Sequence, residues 1–259
     1  MPGSAARPPC PVRAISSDKM AFLSQPPVLM VAAASLPISL DAEPAPAADA
    51  LGAMVAALEE DVVFGRLHPR ERLVEDDLMA RFDVKRHIAR EALAALDRMG
   101  LIERRKNVGA LVRSFSTQEV QELYELRGML EVEAARKIPL PVPAERLERL
   151  TSIQQQHDAA VAEGNARLVF RINLAFHQEL FALAGNDTLH KAITEYARQT
   201  HPIRFASLVS ADYRERARQE HWQMIEALRA QDRDALVRLC AEHLQPSRDA
   251  YLNAQLQRL

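Results

Sequence analysis

The sequence predicts a mainly α-helical chain in two parts. The first is a compact unit of three helices and a two-stranded hairpin; the second is a bundle made of helices alone. Two observations carry this. From Val84 to Arg113, apolar residues at Val84, Ile88, Ala92, Leu96 and Met99 recur at helical spacing and stop at Gly100, and the strand-like runs LIERR and ALVR then flank the turn KNVG. After Arg113 no stretch alternates as a half-buried strand would, while helical spacing recurs to the end.

Residues 1–47 are rich in Pro, Ala and Ser, show no period, and read as a disordered leader. The apolar run PPVLMVAAASLPISL is too short and too Pro-interrupted to span a bilayer. A signal-peptide core after Lys19, or a true start at Met20 or Met30, are the other readings of this stretch.

The first unit is expected over 48–114. From Ala48 to Gly65, Leu51, Met54, Val55, Leu58 and Val62 share one helical face. Pro69 marks a turn, and Glu75–Phe82 forms a short helix with Leu78, Met79 and Phe82 inward. Asp83-Val84 then turns into the third helix. The second unit, 115–259, opens on Ser116 and Glu119, spaced as a capping box, before a helix with Leu123, Leu126, Leu130 and Ala134 inward. After the LPVP break, a helix from Ala144 to Glu163 has Leu147, Leu150 and Ile153 in its first half and polar residues later. Ala166–Ala184 is apolar nearly all round and should be central; Gly185-Asn186 stops it. The next helix runs on to about Val209 with a break at Pro202, and two more follow, Ala211–Ala230 and Asp232–Leu252, the last capped by Asp232.

At 259 residues with 48% hydrophobic side chains, the chain can bury two modest cores. Its net charge of -2 argues against a general nucleic-acid coat protein. Charge is nevertheless uneven: nine Lys or Arg against four acids lie between Arg81 and Arg113. Lys85, Arg86, His87 and Arg90 crowd the start of the third helix, and Arg105 and Lys106 flank the hairpin turn. That is how a recognition helix and a wing would look, so the first unit reads as a winged helix-turn-helix that binds DNA. The other reading of such a run is a solvated basic face. Cys10 and Cys240 suggest neither a disulfide framework nor a cysteine zinc site, which makes a reducing cytoplasm the expected compartment, with no membrane contact.

The bundle's histidines form a second pattern. His177 lies on a stripe with Phe170, Leu180 and Phe181, His221 with Ile225 and Leu228, and His243 with Leu236, Leu239 and Cys240; Asn173 sits one turn before His177. Each buried imidazole needs a hydrogen bond or a metal. Three on converging stripes, with ligands at i and i+4, suit a divalent ion such as Zn, Ni, Mn or Fe, or else a satisfied polar core. His68, His157 and His190 read as surface or loop residues, His201 could line the cavity, Trp222 reads as packing, and Glu179 and Glu220 are phased away from the ligand stripes.

The run from Gly65 to Arg113 resembles the DNA-binding domain of the GntR family of bacterial regulators. The resemblance rests on Gly65, Leu67 and Pro69, Arg72-Leu73, Leu78-Met79-Ala80, VKRHIAREAL, Gly100-Leu101-Ile102, and Gly109-Ala110 with Val112. Arg70, Lys85 and His87-Ile88 depart from the family pattern, so the operator need not resemble those of relatives. The resemblance implies that Arg86 and Arg90 meet bases or phosphates in the major groove, with Lys85 and His87 on phosphates and the wing at Gly109 in the minor groove. Residues from about Ser116 to Tyr251 resemble the FadR-type (FCD) effector domain. There the resemblance implies a divalent metal on Asn173, His177, His221 and His243, with Asn173 a weaker ligand than the usual Asp. It also implies a small organic acid on the ion's open positions, with Arg127 near the cavity; a surface ion pair with Glu131 is the other reading of that arginine.

The expectation is therefore a homodimeric regulator, most often a repressor, on a palindromic double-stranded operator. A metal-dependent hydrolase or lyase in the bundle is a competing reading, as is a ligand-independent repressor with a structural histidine cluster.

Overall fold

The computed structural model describes residues 48–204 and 210–256. The expected leader at 1–47 and the helix end near Val209 lie outside the described residues.

The N-terminal part contains α1 (Ala48–Val63), β1 (Arg72–Leu73), α2 (Glu75–Phe82), α3 (Arg86–Arg98), β2 (Ile102–Arg105) and β3 (Gly109–Val112). The strands form an antiparallel sheet in the order β1-β3-β2, with Arg72 opposite Leu111 and Ile102 opposite Val112. β1 is an addition to the expected hairpin. Two residues cannot show a period, but Leu73 is buried and β3 supplies the ladder partners. Leu58, Leu78, Ala92, Leu96, Ile102 and Val112 pack one core, with Met79 and Phe82 only partly buried at its margin. α3 starts at Arg86 rather than Val84, because Asp83 takes a left-handed conformation (φ 50) that closes α2, and Lys85 stays extended as the N-cap. Gly100 stops α3 as expected, with φ 71 and its N–H on the Asp97 carbonyl. At the hairpin turn Asn107 and Gly109 both have positive φ (64 and 105), which explains glycine there.

The C-terminal part is helical throughout the described residues. It comprises α4 (Thr117–Lys137), α5 (Ala144–Ala162), α6 (Ala166–Ala182), α7 (Asp187–Gln199), a 3₁₀ turn (His201–Ile203), α8 (Ala211–Arg229), α9 (Arg233–His243) and α10 (Gln245–Leu256). Ser116 and Glu119 close the expected capping box on α4. Asn165, Asn186 and Asp232 cap α6, α7 and α9 through their side chains. The single helix expected over Asp232–Leu252 breaks at Leu244, because Pro246 lacks an N–H and its ring opposes the carbonyl one turn back. α6 is central: Phe176 and Leu180 are fully buried against Leu150, Met224, Ile225 and Leu236. The inner face of α4 is rotated from the expected leucine stripe. Val120, Tyr124, Arg127, Glu131 and Ala134 are buried, whereas Leu123, Leu126 and Leu130 are half-buried. No described helix is long and apolar enough to cross a membrane.

α1 also docks on the helical part. Val63 and Phe64 pack against Phe170 of α6, and the buried Glu60 takes Arg167 at 2.6 Å and Arg171 at 2.5 Å.

Candidate DNA-binding surface and metal centre

Lys85, Arg86, His87 and Arg90 all lie exposed at the start of α3, and Arg105, Lys106 and Gly109 are exposed on the wing. The two groups flank one core. Acids of α2 already hold part of this surface: Arg86 pairs with Asp76 at 2.6 Å and Glu75 at 3.4 Å, and Arg90 lies 3.8 Å from Glu75. Arg105 pairs with Glu103 on its own strand. These are exposed pairs of small worth, which a phosphate can displace.

In the helical part His177, His221 and His243 converge, each offering one ring nitrogen within 4.8 Å of the others. Two of the three orientations are fixed by neighbours. The Gln154 amide nitrogen donates to Asp158 Oδ1 (2.8 Å), so its oxygen faces His221 and accepts from Nδ1–H at 2.8 Å. Nε2 of His221 is then an unprotonated nitrogen, buried and without a partner. Likewise His243 Nδ1–H donates to Glu220 Oε2 at 2.6 Å, and Arg216 holds the other carboxylate oxygen. His177 Nε2 and His243 Nε2 stand 3.1 Å apart. Two nitrogens sharing one ion at about 2.1 Å, at angles between a right angle and the tetrahedral one, would be about 3.0–3.4 Å apart. That pair stands at the spacing of two ligands of one divalent cation, and the third ring nitrogen, within 4.8 Å, closes on it by a small shift. Glu220 and Gln154 are the outer groups that aim His243 and His221.

Protonation agrees with that chemistry. Burial, then the neighbouring His243, pushes His177 and His221 well below the ordinary imidazole value, so both are neutral at neutral pH. Burial opposes ionisation of Glu220, but its bonds to His243 and Arg216 outweigh that and hold its pKa low.

Asn173, one turn before His177, is buried and lines a cavity of about 70 Å³ with His157, Arg204, Glu220 and His243. Arg127 is buried rather than a surface residue. It donates to Glu131 from Nε (2.9 Å) and Nη2 (2.7 Å) and to Thr200 Oγ1 from Nη1 (2.9 Å). It lines a second cavity, of about 110 Å³, together with Glu131, His177 and Arg204.

Three readings of the sequence are corrected. His157 is fully buried, its ring 5.0 Å from that of His221 and neither nitrogen partnered. Its signal was present: Leu150, Ile153, His157 and Ala160 are spaced three, four and three, and all are buried. Glu220 does not point away from the site but holds His243. His190 is not a free surface residue, since its buried Nε2 lies at the wall of the larger cavity. Glu179, by contrast, is tied to Arg146 and Arg149 outside the triad. Trp222 adds a bond to Asp158 to its packing.

A basic winged helix joined to a helical bundle with a buried polar centre defines a DNA-binding regulator with a separate helical receiving part. Residues 52–112 match the family described as bacterial regulatory proteins, gntR family, and residues 122–246 match the FCD domain. The chain belongs to the GntR family, with an FCD-type C-terminal domain, and is a transcriptional regulator. It is 26% identical over 188 residues to the HTH-type transcriptional repressor RspR of Escherichia coli K12, covering 73% of this chain and 82% of that one. It is 27% identical over 184 residues to the Nta operon transcriptional regulator of Aminobacter aminovorans, covering 71% and 86%. Among solved structures, E. coli McbR/YncC has the same fold at a TM-score of 0.69 and 16% identity, covering 80% of this chain and 98% of that one. A GntR regulator from Rhodococcus sp. RHA1 does so at 0.66 and 21%, covering 79% and 98%. Domains and relatives alike are those of regulators, which sets aside the hydrolase or lyase reading.

Proposed function

We propose that the protein is a ligand-responsive repressor in which residues 48–114 bind the operator and residues 115–259 bind a divalent metal and a small carboxylate. The observation that carries this reading is the triad itself. Burial keeps His177 and His221 neutral, Gln154 and Glu220 aim His221 and His243, and one ring nitrogen of each of the three converges. His177, His221 and His243 would hold the ion, with Asn173 a neutral fourth ligand, and the ion would supply a Lewis-acid anchor for a carboxylate. Arg127 keeps two N–H groups beyond those used by Glu131 and Thr200, which suits it to the same anion. Arg86 and Arg90 would enter the major groove with Lys85 and His87 on phosphates, and the wing carrying Arg105, Lys106 and Gly109 would reach the minor groove. A cytoplasmic homodimer on a palindromic operator completes the reading.

The test is the metal content of protein purified without a histidine tag, alongside His221→Ala and a circular-dichroism check of folding. About one divalent ion per chain is expected in wild type, with a large loss in the variant. Wild type that stays metal-free after incubation with Zn, Ni or Mn would sink the metal reading and leave the operator-binding one intact.

A further inference from the structure

The larger cavity has a wall that the metal triad and Arg127 do not account for. Part of it is Glu59, from α1 of the DNA-binding half, and part is His201, from the 3₁₀ turn. His201 is 2% exposed, packs edge-on to Phe170 with ring centroids 5.1 Å apart, and sets Nδ1 2.8 Å from Glu59 Oε1. Burial drives its pKa down to about 4, against the upward pull of Glu59, so the ring is neutral at neutral pH. A carboxylate only accepts, so the single ring proton sits on Nδ1. Nε2 is thereby left as a bare acceptor, buried and without a partner. An unanswered buried acceptor is costly, and a ligand that brings a donor removes that cost.

The charges on the same wall narrow the ligand further. Arg127, Arg198 and Arg204 face Glu59 and Glu131, an excess of one positive charge before any ion is bound. A carboxylate is favoured there. A second cationic group such as an ammonium is not, so the donor for His201 is best carried by a neutral hydroxyl. Resting on the carboxylate-effector reading above, we infer that His201 is a specificity-determining residue: its Nε2 accepts from a hydroxyl and selects small hydroxy acids over the same acids without it. Glu59 is its positioning residue, since the Glu59 carboxylate fixes which nitrogen carries the proton.

The experiment titrates the full-length, metal-loaded protein by calorimetry with three matched pairs of probes: lactate and propionate, 3-hydroxybutyrate and butyrate, malate and succinate. Alanine serves as the ammonium counterpart of lactate. In at least one pair the hydroxy acid should half-saturate at a concentration about tenfold or more below its partner, because a site built around a buried acceptor rejects the analogue that leaves it unpaired. His201→Phe, which keeps the aromatic contact with Phe170, should bring that ratio to within about twofold by weakening the hydroxy acid alone. Should that variant fail to fold, Glu59→Gln decides. Its amide can donate to Nδ1, moving the ring proton to Nε2, and the preference should fall severalfold.

Equal binding within every pair, tighter binding of alanine than lactate, or a preference that survives His201→Phe would each overturn the assignment. If the acids without hydroxyls bind as well and still release operator DNA, the effector reading stands and only His201 loses its role. If a metal-loaded protein binds none of the acids, both readings fall together.

Discussion

Replacing Arg127 separates what the buried ion pair does for stability from what it does for binding. Arg127 and Glu131 are 3% and 2% exposed and joined by two hydrogen bonds, with a third from Arg127 to Thr200. Arg127→Met removes the cation and leaves a buried carboxylate, a change that typically costs about 3–5 kcal/mol. Two features place the loss near the lower bound. The charge of Arg204 acts on Glu131, and Thr200 loses only a donor while its own hydroxyl still bonds the Ala197 carbonyl at 2.6 Å. About 3 kcal/mol is therefore expected, a large share of the roughly 5–15 kcal/mol that holds most domains folded. Arg127→Met with Glu131→Leu removes both charges and places two apolar side chains one turn apart on α4, so the double variant should return to within about 1–2 kcal/mol of wild type. Urea unfolding followed by circular dichroism at pH 7.5 and fixed protein concentration measures both. Carboxylate binding should stay lost in the double variant although its stability has recovered. A single variant that loses less than about 1 kcal/mol, or a double variant as unstable as the single, would refute the account of a mutually compensated buried pair.

Two further outcomes follow from the same geometry. His157 and His201 are both held at about pKa 4 by burial, below the ordinary 6.5. The unfolded chain therefore takes up protons first, and stability should fall as pH drops from about 6.5 towards 4, by at most about 1.4 kcal/mol per pH unit for each ring. Below 4 these two groups add nothing more; urea midpoints of metal-free protein between pH 7 and 4.5 check the sign, and a midpoint that rises with acid would contradict it. On the wing, Lys106 is exposed and makes no ion pair among the described residues. Lys106→Ala should weaken binding to every DNA sequence alike and lower the slope of log K against log salt by about 0.9, read by fluorescence anisotropy; an unchanged slope means that Lys106 touches no phosphate.

What the sequence made legible was local chemistry. Ser116 and Glu119, Gly100, Asn186 and Asp232 act within one turn of themselves, so their roles could be read from a few neighbouring letters. Buried polar groups were harder, because their partners come from other helices. Gln154, His157 and Asp158 look like one solvated face of α5, yet Gln154 and His157 are fully buried, and their surroundings are supplied by His221, Trp222 and Arg218 of α8. Arg127 and Glu131 misled in the same way. Their charges satisfy each other, so the inner face of α4 carries an ion pair where a leucine stripe was expected. His177, His221 and His243 were legible because each sits among residues that are apolar in the sequence itself, and buried imidazole stands out against that background.

Three successive acids of α1 bear on how the two halves communicate. At about 100° per residue, neighbours on a helix fan out in different directions. Glu59 reaches His201 at the cavity wall, Glu60 takes Arg167 and Arg171 of α6, and Asp61 pairs with Arg66 and, on α2, with Arg81. α6 is also the helix that carries Asn173 and His177. The helix that supports α3 is thus one of the walls of the cavity, and no relay through the bundle is needed to connect them. A hydrogen bond to a charged group is worth about 1.5–3 kcal/mol, the same order as a typical coupling between sites. The Glu59–His201 contact, kept when His201 Nε2 takes a hydroxyl, is accordingly strong enough to carry a shift of the ligand-bound ring to α1, which is a regulatory response where the two arrangements of α1 differ in operator affinity.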